Sequence, residues 1–162
     1  MNAYAIRSGS EAAQDALGIV LQARERLVRQ GQDLWTYEGL EEEVLSGDGQ
    51  VVLYRDKPVA CMLLTWHDPE VWPELLPNTA AYIHKLAVAD GEQGKGHVDT
   101  LLAYAKARCK ERGVERILLD CAADRPKLRA RYENAGFVYL GTRVLYDVYV
   151  QALYELRISI DE

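Results

Sequence analysis

The sequence predicts a single domain of mixed α/β class, and three observations support this prediction. The chain has 162 residues, which fits one compact domain over 1–162 that buries roughly 70% of its unfolded surface without a disulfide or metal. The first half contains two strand-like runs joined by a connection of hairpin length. The second half alternates strand-like with helical runs, which is typical of mixed α/β domains.

Composition excludes several classes of protein. The chain is 49% hydrophobic and 27% charged, and 25 acidic against 19 basic residues give a formal charge of −6. This balance argues against nucleic acid or an anionic membrane as partner. The longest apolar run, Val59–Leu64, is far shorter than the roughly 20 residues of a membrane span, and Met1–Arg7 lacks a signal-peptide pattern. The three cysteines form no CxxC pair, so we expect reduced thiols, no metal and a cytoplasmic location.

In the first half, each predicted element follows from local spacing. Ser8 and Glu11 fit a capping box for a helix whose apolar positions recur at helical intervals. A second short helix is predicted before the Gly47-Asp48-Gly49 stop. The predicted elements are a strand at Tyr4–Arg7, a helix with apolar positions Ala13, Leu17, Val20, Leu21, Leu27 and Val28, a helix at Tyr37–Leu45, and strands at Gln50–Tyr54 and Pro58–Trp66.

In the second half, a strand at Ala80–Val88 leads into a glycine-rich loop at Gly91–Gly96. A helix with the buried positions Leu101, Leu102, Ala105 and Cys109 follows, from about Val98 to Arg112. The continuous apolar run Ile117-Leu118-Leu119 indicates a central strand. Pro126 begins a further helix, where its missing N–H costs nothing, and strand-like sequence runs from Phe137 to Ile160.

The strand, glycine-rich loop and helix around residues 82–98 are the most informative segment. Backbone N–H groups converge at a helix N-terminus, and the helix dipole adds roughly half a positive charge, so this arrangement favours a phosphate. A plain turn after a strand is the alternative. The loop lacks the Walker pattern, and Asp99 stands where the Rossmann fingerprint needs its third glycine.

Two motifs in this region carry a family resemblance. The first is Leu86-Ala87-Val88, followed by Gln93-Gly94-Lys95-Gly96-His97-Val98 and the pair Leu101-Leu102; the second is Tyr132-Glu133-Asn134-Ala135-Gly136-Phe137. In their order and spacing they resemble the GNAT superfamily of acetyl-CoA-dependent N-acetyltransferases. The resemblance covers most of the chain. It implies a mixed, mostly antiparallel sheet of about seven strands with helices on both faces.

The resemblance also implies where acetyl-CoA binds as co-substrate. In this family the strand splays from its neighbour at a bulge, so main-chain groups of Leu86 and Val88 would pair with the pantetheine arm. The pyrophosphate would lie on the N–H groups of Gln93, Gly94, Lys95, Gly96, His97 and Val98. Val98 departs from the usual Gly or Ala. Arg125 stands where many relatives have an asparagine, and it could add a cation for the phosphates.

Two side chains are the candidates for proton transfer during acetyl transfer to an amine. Tyr132 matches the family's general acid, which would protonate the leaving thiolate; packing at a helix end is its structural alternative. His84 is the candidate base, directly or through a water, because imidazole titrates near neutrality and Tyr82 and His84 share one face of the strand. A core histidine bonded to a carbonyl is the alternative.

The resemblance does not identify the acceptor. Trp35, Tyr37, Trp66 and Trp72 could wall an acceptor pocket and hold an ammonium through cation–π contact, with core packing as the simpler explanation of each. Trp35 and Trp66, together with Tyr82 beside His84, are the candidate acceptor contacts. The aromatic C-terminal strands, with Tyr146, Tyr149 and Tyr154, could pair across a homodimer. The alternative functions are transfer of a different acyl group and a non-catalytic acyl-CoA-binding module, which would not need a tyrosine at position 132.

Overall fold

The computed structural model of the protein describes residues 4–160, which contain seven strands and four α-helices. The strands are β1 (Ala5–Ser8), β2 (Gln50–Tyr54), β3 (Pro58–Thr65), β4 (Ala81–Val88), β5 (Arg116–Ala122), β6 (Val138–Leu145) and β7 (Tyr149–Arg157). The helices are α1 (Ala13–Arg29), α2 (Leu40–Leu45), α3 (His97–Arg112) and α4 (Pro126–Asn134). The strands form one sheet in the order β1-β2-β3-β4-β5-β7-β6, which confirms the predicted mixed sheet of seven strands. Within the described residues, no helix has the length and apolar character needed to cross a membrane.

The chain divides into two compact units whose segments alternate along the sequence. The first consists of the residues up to Leu64 together with Lys85–Leu102, and the second of Thr65–His84 and the residues from Ala103 onward. The N-terminal and C-terminal halves of β4 therefore belong to different units. The sequence predicted one domain and contained no sign of this division.

The first unit is built on an antiparallel meander. Ile6 of β1 lies opposite Leu53 of β2, and Val52 of β2 lies opposite Cys61 of β3. One hydrophobic cluster joins α1, α2 and these strands, because the apolar face of each amphipathic helix must be covered. Its buried members are Ala12, Ala16, Leu17, Ile19, Val20, Ala23, Leu40, Val44, Val52, Cys61, Ala87 and Ala89.

The second unit is centred on β5, which is buried on both faces as its apolar run predicted. β5 pairs in parallel with β4, through Ala81 and Ile117, and antiparallel with β7, through Leu119 and Tyr154. β7 then forms a hairpin with β6. In the turn of this hairpin, Tyr146 and Asp147 have positive φ angles of 54° and 58°. Turns with two positive φ angles are common in hairpins, because their backbone twist has the same sense as that of the paired strands. A core cluster in this unit contains Val71, Trp72, Ala80, Tyr82, Leu118 and Leu153.

Three local predictions were wrong at element boundaries. The capping box does not form: Ser8 ends β1, a short 3₁₀ turn covers Ser10–Ala12, and α1 follows without a side-chain cap. The second helix begins at Leu40 instead of Tyr37, because Gly39 has a left-handed φ of 95° that a helix cannot contain. Val28, predicted to face the core, is 50% exposed at the end of α1.

Candidate functional site

The glycine-rich loop of the first unit connects β4 to α3. Gly91, Gly94 and Gly96 have φ of 78°, 76° and 82°, values that glycine adopts without steric cost. The side of each glycine where a Cβ would stand is open, with no heavy atom within 4 Å. α3 starts directly after the loop, so its first N–H groups have no intrahelical partner. The loop thus has the exposed backbone and the helix N-terminus that an anion site needs.

His97 has a different environment from the rest of this loop. The side chain is buried, with Nε2 2.8 Å from Glu92 Oε1 and Nδ1 3.4 Å from the hydroxyl of Tyr4. The hydrogen bond to His97 lowers the pKa of Glu92, and Lys95 acts in the same direction. Both ring nitrogens therefore have partners inside the first unit. What His97 can offer a phosphate is its backbone N–H.

The C-terminal half of β4 carries the main-chain groups predicted to pair with pantetheine. Leu86 is half-buried and Val88 is buried. The carbonyl of Val88 accepts a hydrogen bond from Arg26 Nη2 at 2.8 Å, and Arg26 also forms an ion pair with Asp90 at 2.6 Å. Val88 can therefore contribute its N–H, while its carbonyl is already engaged.

Lys85 interrupts the regular extension of β4, with φ of 53°, a break of the kind a β-bulge produces. Its ammonium lies 2.9 Å from Glu43 Oε2 and within 6 Å of the ring centroids of Trp35 and Tyr37. Trp35, predicted to contact the acceptor, thus contacts a lysine of the same unit. Sequence reasoning missed Lys85, because its partners lie 42 to 50 residues earlier in the chain.

Tyr132 lies on α4 of the second unit and is buried. Its ring packs against Phe137 and Tyr154, with centroids 5.9 Å and 6.2 Å away. Burial raises the pKa of Tyr132 above its ordinary value, the neighbouring Cys121 raises it further, and Arg131 opposes the change. The phenol is protonated at neutral pH, as that of an ordinary tyrosine is, and burial makes it a weaker acid than a phenol in water.

Arg125 precedes α4 and is half-buried. Its Nη1 is buried and has no hydrogen-bond partner within residues 4–160. A buried guanidinium nitrogen without an acceptor is costly, so an anionic group at this position would complete the structure. This orphaned donor fits the predicted phosphate contact.

His84 belongs to a cluster that the second unit assembles from three segments. Asp68 comes from the loop after β3, His84 from β4 and Asp120 from β5, and one ligand atom of each lies within 4.8 Å of the other two. His84 Nε2 is 3.6 Å from Asp68 Oδ2. Asp120 Oδ2 accepts a hydrogen bond from Gln151 Nε2 at 2.8 Å. These are the side chains that could hold a cation, although the sequence predicted no metal.

The other two predicted acceptor residues have little free surface. Tyr82 is completely buried, its ring 5.5 Å from that of Trp72, and burial followed by the charge of Asp68 raises its pKa. Trp66 is half-buried, and the guanidinium of Arg112 lies 3.8 Å above its ring. Arg112 is held there by Asn78 Oδ1 at 2.8 Å. One face of Trp66 is therefore already covered.

Comparison with known proteins assigns the family. The sequence model of the Acetyltransferase (GNAT) family matches residues 20–137, which is most of the chain. The chain belongs to the GNAT family. This acetyltransferase is similar to the uncharacterized N-acetyltransferase YesJ of Bacillus subtilis (strain 168), with 26% identity over 149 residues, covering 85% of this chain and 83% of YesJ. Membership of this family confirms the prediction that the protein is an acetyl-CoA-dependent N-acetyltransferase that acts on an amine.

Solved structures confirm the fold of this GNAT protein. A GNAT acetyltransferase from Listeria monocytogenes 4b F2365 superposes with a TM-score of 0.74 at 16% identity, covering 96% of this chain and 95% of that chain. The ribosomal-protein-S18-alanine N-acetyltransferase of Escherichia coli gives 0.65 at 19% identity, covering 99% and 97%. A GNAT acetyltransferase from Elizabethkingia anophelis, solved with acetyl-CoA bound, gives 0.69 at 15% identity, covering 96% and 98%.

Proposed function

We propose that this acetyltransferase uses acetyl-CoA itself as donor, with Tyr132 as general acid and His84 as base. The observation that carries the proposal is Tyr132 itself, a tyrosine on α4 that occupies the first position of the family's Tyr-x-x-x-Gly-Phe motif. When bound, acetyl-CoA supplies the thioester whose acetyl group moves to the amine. An acyl-CoA-binding module without catalysis would not need a tyrosine at this position of the motif, where a phenylalanine would pack equally well.

The glycine-rich loop and Arg125 are the groups that we assign to the phosphates. The N–H groups of Gln93, Gly94, Lys95, Gly96, His97 and Val98 would hold the pyrophosphate, as the open glycines and the start of α3 support. The buried, unpaired Nη1 of Arg125 supports a second phosphate contact. Leu86 and the N–H of Val88 would bind pantetheine.

Two protons must move during the transfer. The imidazole of His84, directly or through a water, would accept a proton from the attacking amine, which needs a free lone pair to form the new C–N bond. The phenol of Tyr132 would give its proton to the sulfur when the C–S bond breaks. Each proton thus has a named donor or acceptor in the second unit.

We assign the contacts with the acceptor to Trp35, Tyr82 and Trp66. The three aromatic side chains differ in how much of each ring an acceptor could reach. Trp35 is half-buried, and an acceptor ammonium at its ring would compete with that of Lys85, 5.7 Å from the centroid. Tyr82 is completely buried and one face of Trp66 is covered by Arg112, so both would act mainly by shaping the surroundings of the acceptor.

A panel of amines assayed for thiol release from acetyl-CoA tests this function. We expect release that depends on the amine, together with saturable CoA binding in calorimetry. A panel with alkylamines, amino acids, aminoglycosides, N-terminal peptides and lysine peptides covers the chemical classes that the sequence leaves open. CoA binding without release for any amine would favour the binding module, and faster release from a longer acyl-CoA would change the donor.

Two further assignments concern the surroundings of the enzyme. We place it in the cytoplasm, supported by three cysteines that are unpaired and buried, Cys61, Cys109 and Cys121. We also assign a homodimer, formed through the β6–β7 hairpin. The hairpin carries large exposed apolar side chains, and two hairpins of identical sequence would each cover the other.

A further inference from the structure

A side-chain hydrogen bond joins the two ends of the glycine-rich loop. Glu92 directly precedes residues 93–96 and His97 directly follows them. His97 Nε2 lies 2.8 Å from Glu92 Oε1. The bond therefore closes a ring around the residues whose N–H groups we assign to the pyrophosphate, although neither side chain has a role in that assignment.

This hydrogen bond lies in the interior of the first unit. The side chain of His97 is 1% exposed and that of Glu92 is 11% exposed. The bond to His97 lowers the pKa of Glu92, and an ionised carboxylate only accepts hydrogen bonds, so Nε2 of His97 is the donor. A charge-assisted bond that is shielded from water is stronger than an exposed one between neutral groups. The pair is thus suited to restrain the backbone between its two residues.

The other ring nitrogen of His97 connects the pair to the N-terminal part of the unit. The hydroxyl of Tyr4 lies 3.4 Å from Nδ1, and the two rings meet edge to face with centroids 5.8 Å apart. Arg55 Nη1 donates to the same hydroxyl oxygen at 3.2 Å, which leaves the hydroxyl hydrogen of Tyr4 for Nδ1. The imidazole is therefore held at both nitrogens, and its orientation toward Glu92 is fixed.

The negative charge of Glu92 has compensating partners. Glu92 Oε2 lies 3.4 Å from the ammonium of Lys95 and 4.0 Å from that of Lys57. An uncompensated carboxylate beside a phosphate site would repel the ligand, whereas here both carboxylate oxygens face donors. The contribution of Glu92 to this loop is consequently the link to His97.

The loop needs such a link because of its glycines. Gly94 and Gly96 both have positive φ, and glycine loses more conformational freedom on ordering than any other residue. A loop that became ordered only when the ligand bound would lose this freedom at that step, which weakens binding. A bond across the ends of the loop restricts the glycines before the ligand arrives.

We propose that the Glu92–His97 hydrogen bond preorganises the glycine-rich loop for the pyrophosphate of CoA. This inference rests on the proposed function, since it concerns the same phosphate site. Glu92 and the imidazole of His97 are positioning groups: they act through the main chain of residues 93–97 and do not touch the phosphates. Loss of the bond should weaken CoA binding and leave the bound conformation of the loop unchanged.

Two matched pairs of variants test the link. E92Q and E92M remove the same charge, but only glutamine keeps an oxygen that accepts from His97. H97Q and H97L are both neutral, but only glutamine keeps an N–H donor for Glu92. By calorimetry we expect the Kd of CoA to be about five- to tenfold higher in E92M than in E92Q, and in H97L than in H97Q. E92M/H97L should bind CoA no more weakly than the weaker single variant, because the two substitutions remove one bond.

Backbone ¹⁵N order parameters of residues 93–96 provide a readout that a merely structural contact would not move. In the CoA-free protein we expect lower values in E92M than in E92Q, and in the CoA complex equal values. A contact that only stabilises the fold would change Tm and leave the loop order and the CoA affinity alike in the two variants.

Equal CoA affinities in E92M and E92Q would overturn the proposal, as would equal loop order in the free variants or additive effects in E92M/H97L. If H97L does not fold, the Glu92 variants decide the question, because that side chain reaches the surface. The wild type separates this outcome from failure of the proposed function. A wild type that does not bind CoA contradicts the phosphate site itself, whereas CoA binding that is alike in E92M and E92Q contradicts the preorganising bond alone.

Discussion

Tyr132 and Tyr82 are both buried phenols in the second unit, and we propose different roles for them. The ring of Tyr82 lies in the core cluster with Trp72 and Leu118, on β4, the middle strand of the sheet. Tyr132 lies on a helix of nine residues, where its pKa is raised by burial and by Cys121. The position of Tyr132 fits proton donation, and that of Tyr82 fits support of Asp68 and His84.

Replacement of Tyr132 by phenylalanine separates its hydroxyl from its packing. The ring contacts with Phe137 and Tyr154 remain, so Tm and CoA affinity should be nearly unchanged. We expect kcat to fall by roughly 10²–10⁴, the usual contribution of a general acid. Y139F is the matched control, since Tyr139 packs against the same Tyr154, and it should keep full kcat. Equal kcat in both variants would assign thiolate protonation to solvent.

A sequence motif identifies a candidate residue when its neighbours in the chain form part of the pattern. Tyr132 and His84 each stand in such a local pattern and were predicted from it. Asp68, Lys85 and Asp120 were missed, because each acquires its partners through the fold: Asp68 stands in a proline-rich loop 16 residues before His84, and Asp120 is 36 residues beyond it. No local spacing predicts that a loop, β4 and β5 place three polar side chains within 4.8 Å.

At the scale of elements, the local sequence pattern predicted the four α-helices and the first five strands, whereas β6 and β7 lay within one undivided strand-like run from Phe137 to Ile160. The boundaries of β2 were predicted correctly, and α3 and α4 lie close to their predicted ranges. The failures are at Gly9 and Gly39, whose positive φ of 91° and 95° moves the beginning of a helix. Backbone angles of this kind depend on tertiary contacts, such as the hydrogen bond from the N–H of Gly9 to the carbonyl of Gln50 at 2.8 Å.

The glycine-rich loop is tested by two substitutions of one glycine. Gly96 has φ of 82°, and a Cβ added there would meet no heavy atom within 4 Å. G96N and G96D therefore carry the same backbone strain from the positive φ, and Asn and Asp tolerate this conformation better than other side chains. They differ in one negative charge. We expect G96D to weaken CoA binding at least tenfold more than G96N, with equal Tm. Calorimetry measures both affinities, and equal values would exclude pyrophosphate from this loop.

At the scale of the whole molecule, three buried thiols and the half-buried phenol of Tyr54 contribute to a loss of stability at alkaline pH. Burial raises the pKa of Cys61 to about 12 from 9.0, and that of Cys109 and Cys121 to about 11. Burial and a hydrogen bond to Asp15 raise the pKa of Tyr54 to about 12 from 10.0. As pH rises past 9, the unfolded chain releases these protons before the folded chain does. The free energy of unfolding therefore falls with pH, from about pH 9 up to about 12.

Denaturant unfolding at several pH values between 7 and 11 measures this effect. Below about pH 8 these groups are protonated in both states and should contribute no slope. C61A should make the decline above pH 9 less steep, because it removes one of the perturbed groups, whatever it does to the absolute stability. An identical slope in wild type and C61A would show that Cys61 ionises equally easily in the folded protein.

The β6–β7 hairpin leads to a prediction about assembly. Eight of its large apolar side chains are between 42% and 71% exposed, namely Val138, Tyr139, Leu140, Val144, Tyr146, Val148, Tyr149 and Val150. These apolar side chains are exposed on one hairpin, whose β6 is the last strand of the sheet. A stable interface buries roughly 800 Å² on each partner, so we expect a partner to cover most of them.

We therefore expect the protein to be a dimer in light scattering, with the hairpins of two copies in contact. Lysine at Val138 and Val144, both on β6, would put four cations into the interface of a symmetric dimer and should produce monomers with unchanged Tm. V28K is the control, because Val28 is 50% exposed on α1, outside the hairpin, and should leave the dimer intact. A monomeric wild type would contradict the assignment, as would a dimer that survives V138K/V144K, which would have to use another surface.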